Sequence, residues 1–365
     1  MRIAQLTMCG HFNYGQTLQR FALQHTLKKF AEFVEFLWNE PIKFFPETGE
    51  KPVAQCVMHK ERQNWEQKFS RFESVRQSRF KDFENLHIQT RFDIPYWEDL
   101  VDEYDFFVVG SDQVWNPKWY HKYIFEFVPK EKKIAYAASI GAPSIPDEVK
   151  EKYRLAISDF NYLSVREDGA IKIIEDLTGR TPFFLPDPVL LLTEDEWLAV
   201  AQKPTWFKEK YQRGFILTYY LRRFPPSAIK TFAAESDLPI INLLDTENYN
   251  HFTVGPAEFV WLFANASFVF SNSFHGVAFS TLFKRPFINL EVANDKTGIA
   301  MSNRITSLLK LFGLEDRTKI LADPFKIDFT RRDEVLPLER TKAFNFLAEA
   351  LGREPREKFL GGDTR

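Results

Sequence analysis

At 365 residues the chain is long enough for two domains, because a single hydrophobic core usually stops growing beyond about 250–300 residues. A composition of 44% hydrophobic and 27% charged residues is that of an ordinary globular protein, and a net charge of −2 gives no electrostatic case for nucleic acid or an anionic membrane. Only Cys9 and Cys56 are present, which excludes a disulfide framework and a cysteine-based metal site; no other ligand cluster suggests a metal either.

No apolar run reaches membrane-spanning length, and Met1–Met8 is too short and too polar for a signal peptide, so a cytoplasmic enzyme or binding protein is expected. The 38 Phe and 8 Trp are unusual; those not in the core would suit flat, ring-shaped ligands such as sugars.

The chain opens with an apolar strand over residues 2–8, a loop from Cys9 to Gly15, and a helix whose Leu18, Phe21, Ala22, Leu27 and Phe30 recur at helical spacing. The loop lacks both the three-glycine dinucleotide fingerprint and the lysine-bearing phosphate loop. Asn13 and Gly15 nevertheless sit at the carboxyl end of a first strand, where open α/β sheets bind ligands. Residues 35–60, with Pro41, Pro46 and Pro52, read as an irregular excursion. A charge-rich segment over 59–87 follows, with Trp65, Phe69, Phe72, Phe80, Phe83 and Leu86 at helical steps, and predicts an amphipathic helical insertion packing an aromatic stripe inward.

Residues 104–110 form a nearly all-apolar strand of the kind found in a parallel sheet covered on both faces. It runs into the polar segment 111–117, where Asp112 can orient or deprotonate a hydroxyl and Trp115 can stack on a sugar ring. The alternative is a turn cap and a core indole. Further strands are expected over 133–139 and up to Arg166, with helices over 147–159 and from Glu167 or Asp168 to a stop at Gly179. Arg166 thus stands at a strand's carboxyl end, able to grip phosphate or carboxylate, or else to pair with Glu167 or Asp168. The Pro186-Asp187-Pro188 turn reads as a domain crossing.

The second half restarts the alternation: strands over 214–221, 238–243, 268–270 and 286–290, and helices from Pro226, over 256–265, from His275, over 299–312 and over 339–351. A polar loop with Asp245, Asn248, Tyr249 and Asn250 precedes the helix at 256. The turn between the buried strand 268–270 and the His275 helix is the most suggestive stretch. Helix N-termini carry unpaired N–H groups and partial positive charge that suit an anion. Ser271, Asn272 and Ser273 are good caps, Gly276 allows close approach to the backbone, and His275 can supply a proton or a positive charge. A capped helix with a satisfied histidine is the plainer alternative. The fold class expected is α/β: a Rossmann-like domain over 1–188, a second over 189–352 facing it across a cleft, and a loose tail over 353–365.

Six short segments occur in an order that resembles the polysaccharide pyruvyl transferase family: Asn13-Tyr14-Gly15 with Leu18 and Gln19, Val109 to Pro117, Tyr136 to Gly141, Ser164 to Glu167, Pro186-Asp187-Pro188, and Ser273-Phe274-His275-Gly276. The resemblance covers roughly residues 1 to 312. It implies a GT-B-like pair of domains and transfer of the enolpyruvyl group of phosphoenolpyruvate onto a sugar, often as a ketal, with phosphate released. No cofactor is implied beyond phosphoenolpyruvate as co-substrate. The resemblance matches His275 and Arg166 to a histidine and an arginine that handle the donor, with Ser273 standing where the family often has a second arginine; the chemistry then casts His275 as general acid and Arg166 as a holder of carboxylate or phosphate. Beside it, Asp112 is expected as the base, Ser273, Asn272 and Gly276 on the donor side, and Asn13, Gly15 and Trp115 on the acceptor side. The acceptor is a sugar or a lipid-linked oligosaccharide, which would place the enzyme at the inner face of a membrane without an anchor of its own. A GT-B glycosyltransferase using a nucleotide sugar and a catalytically silent sugar-binding relative are the alternatives. Acceptor identity, linkage and oligomeric state are not encoded in any motif.

Overall fold

The structure, a computed structural model, describes residues 1–10, 12–38, 72–221, 225–290 and 298–356. The seven strands of a first sheet are β1 (Arg2–Leu6), β2 (Phe33–Leu37), β3 (Thr90–Arg91), β4 (Phe106–Val109), β5 (Lys133–Ala138), β6 (Tyr162–Val165) and β7 (Phe183–Phe184). All neighbouring pairs are parallel, in the order β3-β2-β1-β4-β5-β6-β7. The second sheet holds β8 (Ile216–Tyr219), β9 (Ile240–Leu243), β10 (Phe268–Ser271) and β11 (Phe287–Ile288), again all parallel, in the order β11-β10-β8-β9. Parallel sheets bury both faces, which is why β5 and β10 are buried at every position. The α/β class and the paired, GT-B-like sheets expected from the sequence are therefore present.

Helices cover both sheets: α1 (Tyr14–Leu27), α2 (72–87), α3 (Leu100–Glu103), α4 (Asp147–Ser158), α5 (Asp168–Thr178), α6 (Glu194–Leu198), α7 (Ala228–Ser236), α8 (Tyr249–Phe252), α9 (Pro256–Asn265), α10 (Phe274–Leu282), α11 (Gly298–Phe312) and α12 (Thr330–Leu351). Strand order reverses direction between β1 and β4 in the first sheet and between β8 and β10 in the second. Ligands of doubly wound sheets bind outside the carboxyl ends of the strands at such switch points. Here the two switch points meet. Tyr14 stacks on Phe259 at 4.4 Å, meets Tyr219 edge-on at 5.7 Å, and its hydroxyl donates to the Val254 carbonyl at 2.6 Å. A single hydrophobic core runs through this contact, joining Leu18 and Phe21 of α1 to Phe263 and Phe279 of the second half.

Two expectations about domain limits need correction. The closing helix begins at Thr330 rather than 339 and continues through Pro337; its first turn bonds the end of α10, Arg332 donating to the Leu282 carbonyl and Lys284 pairing with Asp333 at 2.6 Å, and its later turns pack on the first sheet. Phe346 lies edge-on to Tyr136, Tyr162 and Phe183, Phe344 meets Phe30, and Arg340 donates to the Leu190 and Leu192 carbonyls. The later turns of α12 thus return to the 1–188 half. The beginning of the supposedly loose tail is docked as well, since the Arg356 amide donates to the Lys29 carbonyl at 2.7 Å; residues 357–365 lie outside the described residues.

Of the predicted insertion 59–87, residues 59–71, with Trp65 and Phe69, lie outside the described residues, as do Pro41, Pro46 and Pro52. Helix α2 itself forms and straps the halves together. Phe80 packs on Tyr14, Phe72 meets Phe252, and Arg79 pairs with Glu258 at 2.6 Å. Leu86, read as part of the inward stripe, is instead 77% exposed. Its helical step carries it past the edge of the α2 face that α1 covers.

Candidate active site

Each side of the site is built by one strand-to-helix turn. On the second sheet, β10 ends at Ser271 and α10 starts at Phe274, with Ser273 at the N-cap. Ser273 makes no side-chain cap bond; its amide donates to the Ser271 hydroxyl at 3.0 Å. Asn272 is spent holding the β8 end, where its side-chain oxygen accepts from the Leu221 amide at 2.9 Å. Gly276 leaves room for a neighbour rather than a ligand: a Cβ there would lie 2.2 Å from Ser271 Oγ, so that space is filled from within the protein.

On the first sheet, the turn after β4 holds Asp112 with φ of 66°, a left-handed conformation that aspartate tolerates better than most residues. Gln19 fixes this turn from α1: its side-chain oxygen accepts from the Ser111 amide at 3.0 Å and its nitrogen donates to Thr7 Oγ1 at 2.9 Å. Asn13 caps α1, accepting from the Gly15 and Gln16 amides at 2.9 and 3.3 Å. Its oxygen is therefore committed to the helix. Gly15 has a sharper role. A Cβ on it would lie 2.1 Å from His275 Nδ1, so the histidine ring seats directly on the first turn of α1.

The two turns bring His275, Asp112 and Arg166 into one buried cluster with a fourth residue that the sequence reading treated as a linker. Asp187, between two prolines, is buried and accepts from Arg166 Nη1 and from Ser111 Oγ at 3.2 Å. Its other oxygen accepts from the Val189 amide at 3.0 Å. His275 Nε2 lies 3.8 Å from Asp187 Oδ2. Arg166 reaches Asp112 at 3.4 Å with Nη2 and lays its guanidinium over the Phe274 ring at 4.4 Å. Its partners are thus Asp187 and Asp112, not Glu167 or Asp168. Glu167 turns away to bind the Ser139 hydroxyl and the Ile140 and Gly141 amides at 3.0, 2.8 and 3.2 Å.

Arg304, on α11, is the second residue missed from the sequence. It is buried, with Nη1 3.7 Å from Asp112 Oδ1. With the Gln113 amide oxygen turned toward it, that oxygen accepts from Nη2 and Nη1 at 2.7 and 3.0 Å. A signal existed: Arg304 falls one position before Ile305 and four before Leu308, on the buried stripe of an apolar helix. A charge there calls for a partner.

Electrostatics follow from burial and from these pairings. Burial pushes His275 below its ordinary value; Asp187 and Asp112 oppose this, while Arg166 and Arg304 reinforce it, so the ring is neutral at pH 7. Burial works against the Asp112 carboxylate, but Arg166, His275 and Arg304 outweigh it and hold the group below the usual carboxylate range. Asp112 is thus an ion-pair partner of both arginines. Trp115 departs from expectation. It is fully buried, edge-on to Phe160 at 5.5 Å, so it offers no ring face to a sugar. The indole belongs to the core because the turn after β4 folds back over β5, where the Trp115 amide donates to the Ser139 carbonyl.

Among the described residues, Arg166 Nε, Arg304 Nε and His275 Nε2 are buried and make no hydrogen bond. Buried polar atoms are normally satisfied. The Nε atoms of Arg20, Arg76, Arg285, Arg317 and Arg332 likewise make no hydrogen bond, so what sets this cluster apart is that two such arginines and a histidine stand together with Asp112 and Asp187. The loop at 245–250, by contrast, satisfies itself: Asp245 accepts from the Glu247 amide and Asn248 caps α8 through the His251 amide.

The chain is similar in structure to a UDP-GlcNAc 2-epimerase from Neisseria meningitidis bound to UDP-GlcNAc, at 10% identity and a TM-score of 0.46, over 96% of this chain and 100% of that one. It is similar also to Anabaena HepE in complex with UDP and glucose, at 11% identity and a TM-score of 0.47, over 96% and 99%. None of the curated proteins matches the sequence. The model of one family, polysaccharide pyruvyl transferase, matches residues 13–294, a span that contains Gly15, Asp112, Arg166, Asp187 and His275. The chain is a transferase that belongs to the polysaccharide pyruvyl transferase family.

Proposed function

We propose that the protein transfers the enolpyruvyl group of phosphoenolpyruvate to a sugar of a cell-surface polysaccharide or its precursor, giving a pyruvate ketal and phosphate. The observation that carries this reading is the convergence of His275, Arg166 and Asp187 in one buried cluster with unpaired N–H groups. A small dianionic or trianionic donor would satisfy those groups, and family membership supplies its class.

Ketal formation begins with a proton on the methylene carbon of phosphoenolpyruvate, so that positive charge develops at the second carbon. A sugar hydroxyl oxygen bonds to that carbon, and its proton passes to the imidazole that the first step left neutral. The carbon–oxygen bond to phosphate then breaks with its electrons leaving on phosphate, and a second hydroxyl closes the ring, its proton going to the departing phosphate. His275 is the general acid. It is neutral in the free protein, and an arriving donor's negative charge raises its pKa and brings in the proton it then delivers. Arg166 grips the donor's carboxylate or phosphate. Asp187 positions both, through the Arg166 pair and its 3.8 Å approach to the imidazole. Asp112 holds the arginines in place. Ser273, at the open N-terminus of α10, lies on the donor side, and Gly15 on the side of α1 where the acceptor approaches. A lipid-linked acceptor would bring the protein to a membrane surface; no described helix is long and apolar enough to cross one.

The test is phosphate release from phosphoenolpyruvate in the presence of mixed sugar acceptors, for the wild type and His275→Ala. Acceptor-dependent release, reduced at least about 100-fold in the variant, is expected. Equal release from both proteins would remove His275 from the mechanism. Thermal protection by UDP-sugars with none by phosphoenolpyruvate would replace the reading with glycosyl transfer.

A further inference from the structure

We propose that the cleft between α5 and α11 is a binding site for a sugar hydroxyl, with Glu167 as its hydrogen-bond acceptor; that the sugar is the transfer acceptor rests on the pyruvyl-transfer reading above. The cleft adjoins the buried cluster through Arg304 and differs from it in what its charges admit.

Glu167 stands at the N-cap of α5, makes no capping bond with its side chain, and is 5% exposed. Its carboxylate oxygens are treated unequally. Oε1 accepts from the Ser139 hydroxyl and from the Ile140 and Gly141 amides at 3.0, 2.8 and 3.2 Å. Oε2 is buried and accepts from nothing among the described residues. A carboxylate oxygen removed from water in this way is destabilised until a donor reaches it. Arg304 faces the same cleft from α11 and is 6% exposed. Its Nη atoms are engaged by the Gln113 amide oxygen and lie near Asp112, but its Nε makes no hydrogen bond. Among the described residues no ion pair joins Arg304 to Glu167.

A bare acceptor and a bare donor thus line one space, and together they decide what fits it. An anion meets the Glu167 carboxylate, and a cation meets the Arg304 guanidinium. A neutral hydroxyl satisfies both, giving its proton to Oε2 and accepting from Nε–H with its own oxygen. The cleft encloses about 40 Å³. A water-sized group needs about 10–15 Å³, so hydroxyl groups enter and a sugar ring does not. The ring is left at the mouth, where Ala142, Pro143 and Ile173 offer apolar surface to its C–H groups. Gly169 keeps that mouth open, since a Cβ there would meet nothing within 4 Å. Water has the same two hydrogen-bonding capacities as a hydroxyl, and the experiment separates them.

Binding of the methyl glycosides of glucose, galactose, mannose and N-acetylglucosamine to the full-length protein is followed by saturation-transfer difference NMR, with a calorimetric titration of phosphoenolpyruvate in parallel, for wild type, Glu167→Gln and Gly169→Phe. Glu167→Gln keeps the side-chain shape and one oxygen for the Ser139, Ile140 and Gly141 donors, and places an amide donor where the hydroxyl needs an acceptor. At least one glycoside is expected to bind, and Glu167→Gln to raise its Kd at least about 10-fold, as loss of a hydrogen bond to a charged group does, with the phosphoenolpyruvate Kd unchanged. Gly169→Phe screens the mouth from an exposed position and should raise the glycoside Kd at an unchanged Tm; it decides the matter if Glu167→Gln does not fold. A glycoside Kd unaltered by Glu167→Gln, or by Gly169→Phe in its place, or no binding of any of these glycosides, would mean that the cleft holds water alone and would overturn the proposal while leaving the pyruvyl-transfer reading intact. Failure of phosphoenolpyruvate to bind the wild type would instead overturn that reading and the assignment of the sugar as acceptor, whereas the glycoside result would still decide the site.

Discussion

Gly15 shows how one missing methyl group can set a reactive geometry. Its Cα lies against the His275 imidazole so closely that Gly15→Ala must move the ring or the helix. Because misplacement by about 1 Å can cost on the order of 10²-fold, Gly15→Ala should lower kcat about 100-fold while the far-ultraviolet circular dichroism stays native. Kinetics equal to wild type would show that the ring position does not matter. The titration of His275 sets a pH dependence with a definite sign. Its free-protein pKa lies below the ordinary 6.5, and the acid must be protonated to act, so kcat/KM should rise as pH falls through 6.5 and continue to rise below it. A profile flat between pH 5 and 8 would contradict the acid role. His251, far from the chemistry, titrates for stability alone. Burial, with Lys210 adding to it, holds its pKa down at about 4, and Asn242 and Tyr211 fix the ring. A histidine lowered on folding contributes fully above its unfolded pKa of about 6.5, and loses that contribution as pH falls toward 4, because the unfolded chain takes the proton first. The loss is roughly 3 kcal/mol at its limit. His251→Gln should flatten the urea-midpoint profile over that window.

Among the elements, α2 is the least expected contributor. Its residues were legible as an amphipathic helix, but what the apolar face packs against was not. Phe80 lies fully buried between Tyr14 and Phe12, and Arg76 donates to the Phe12 carbonyl while its guanidinium covers the Tyr14, Phe80 and Phe252 rings. Removing Phe80 would empty the place where α1, α2 and the second sheet meet. Phe80→Ala should therefore cost about 3–5 kcal/mol in urea denaturation. Leu86→Ala, on the same helix and exposed, should stay within about 0.5 kcal/mol. Similar losses for both would mean that α2 does not strap the halves. Helix α10 teaches a related lesson. Its start near His275 follows from a strand ending in polar cap residues, yet Ser271 and Asn272 serve the turn itself, and Ser273 leaves the helix end open.

For the whole molecule the shared core is decisive. Two sheets of this size could form separate cooperative units. Instead α1, α9 and α10 contribute to one core, and α12 returns from the second sheet to close the first. We expect a single calorimetric transition, with fluorescence changes of Trp115 in one half and Trp261 in the other coinciding in midpoint. Two separable transitions would show that the contact through Tyr14 and Phe259 is too weak to couple the sheets.

Local pattern by itself determined much of this protein. The α/β alternation, most strand and helix positions, and the placing of Arg166 and His275 at carboxyl ends of strands follow from periodicities of about two and 3.6 and from caps and breakers, all of which act within a few residues. Partnership does not. Whether Trp115 faces solvent or core, whether Asp187 is a linker or the anchor of Arg166, and whether Arg304 on a distant helix reaches the cluster all depend on contacts between residues tens to hundreds of positions apart. Those contacts are chosen by the packing of two switch points against each other, and only the tertiary structure decided them.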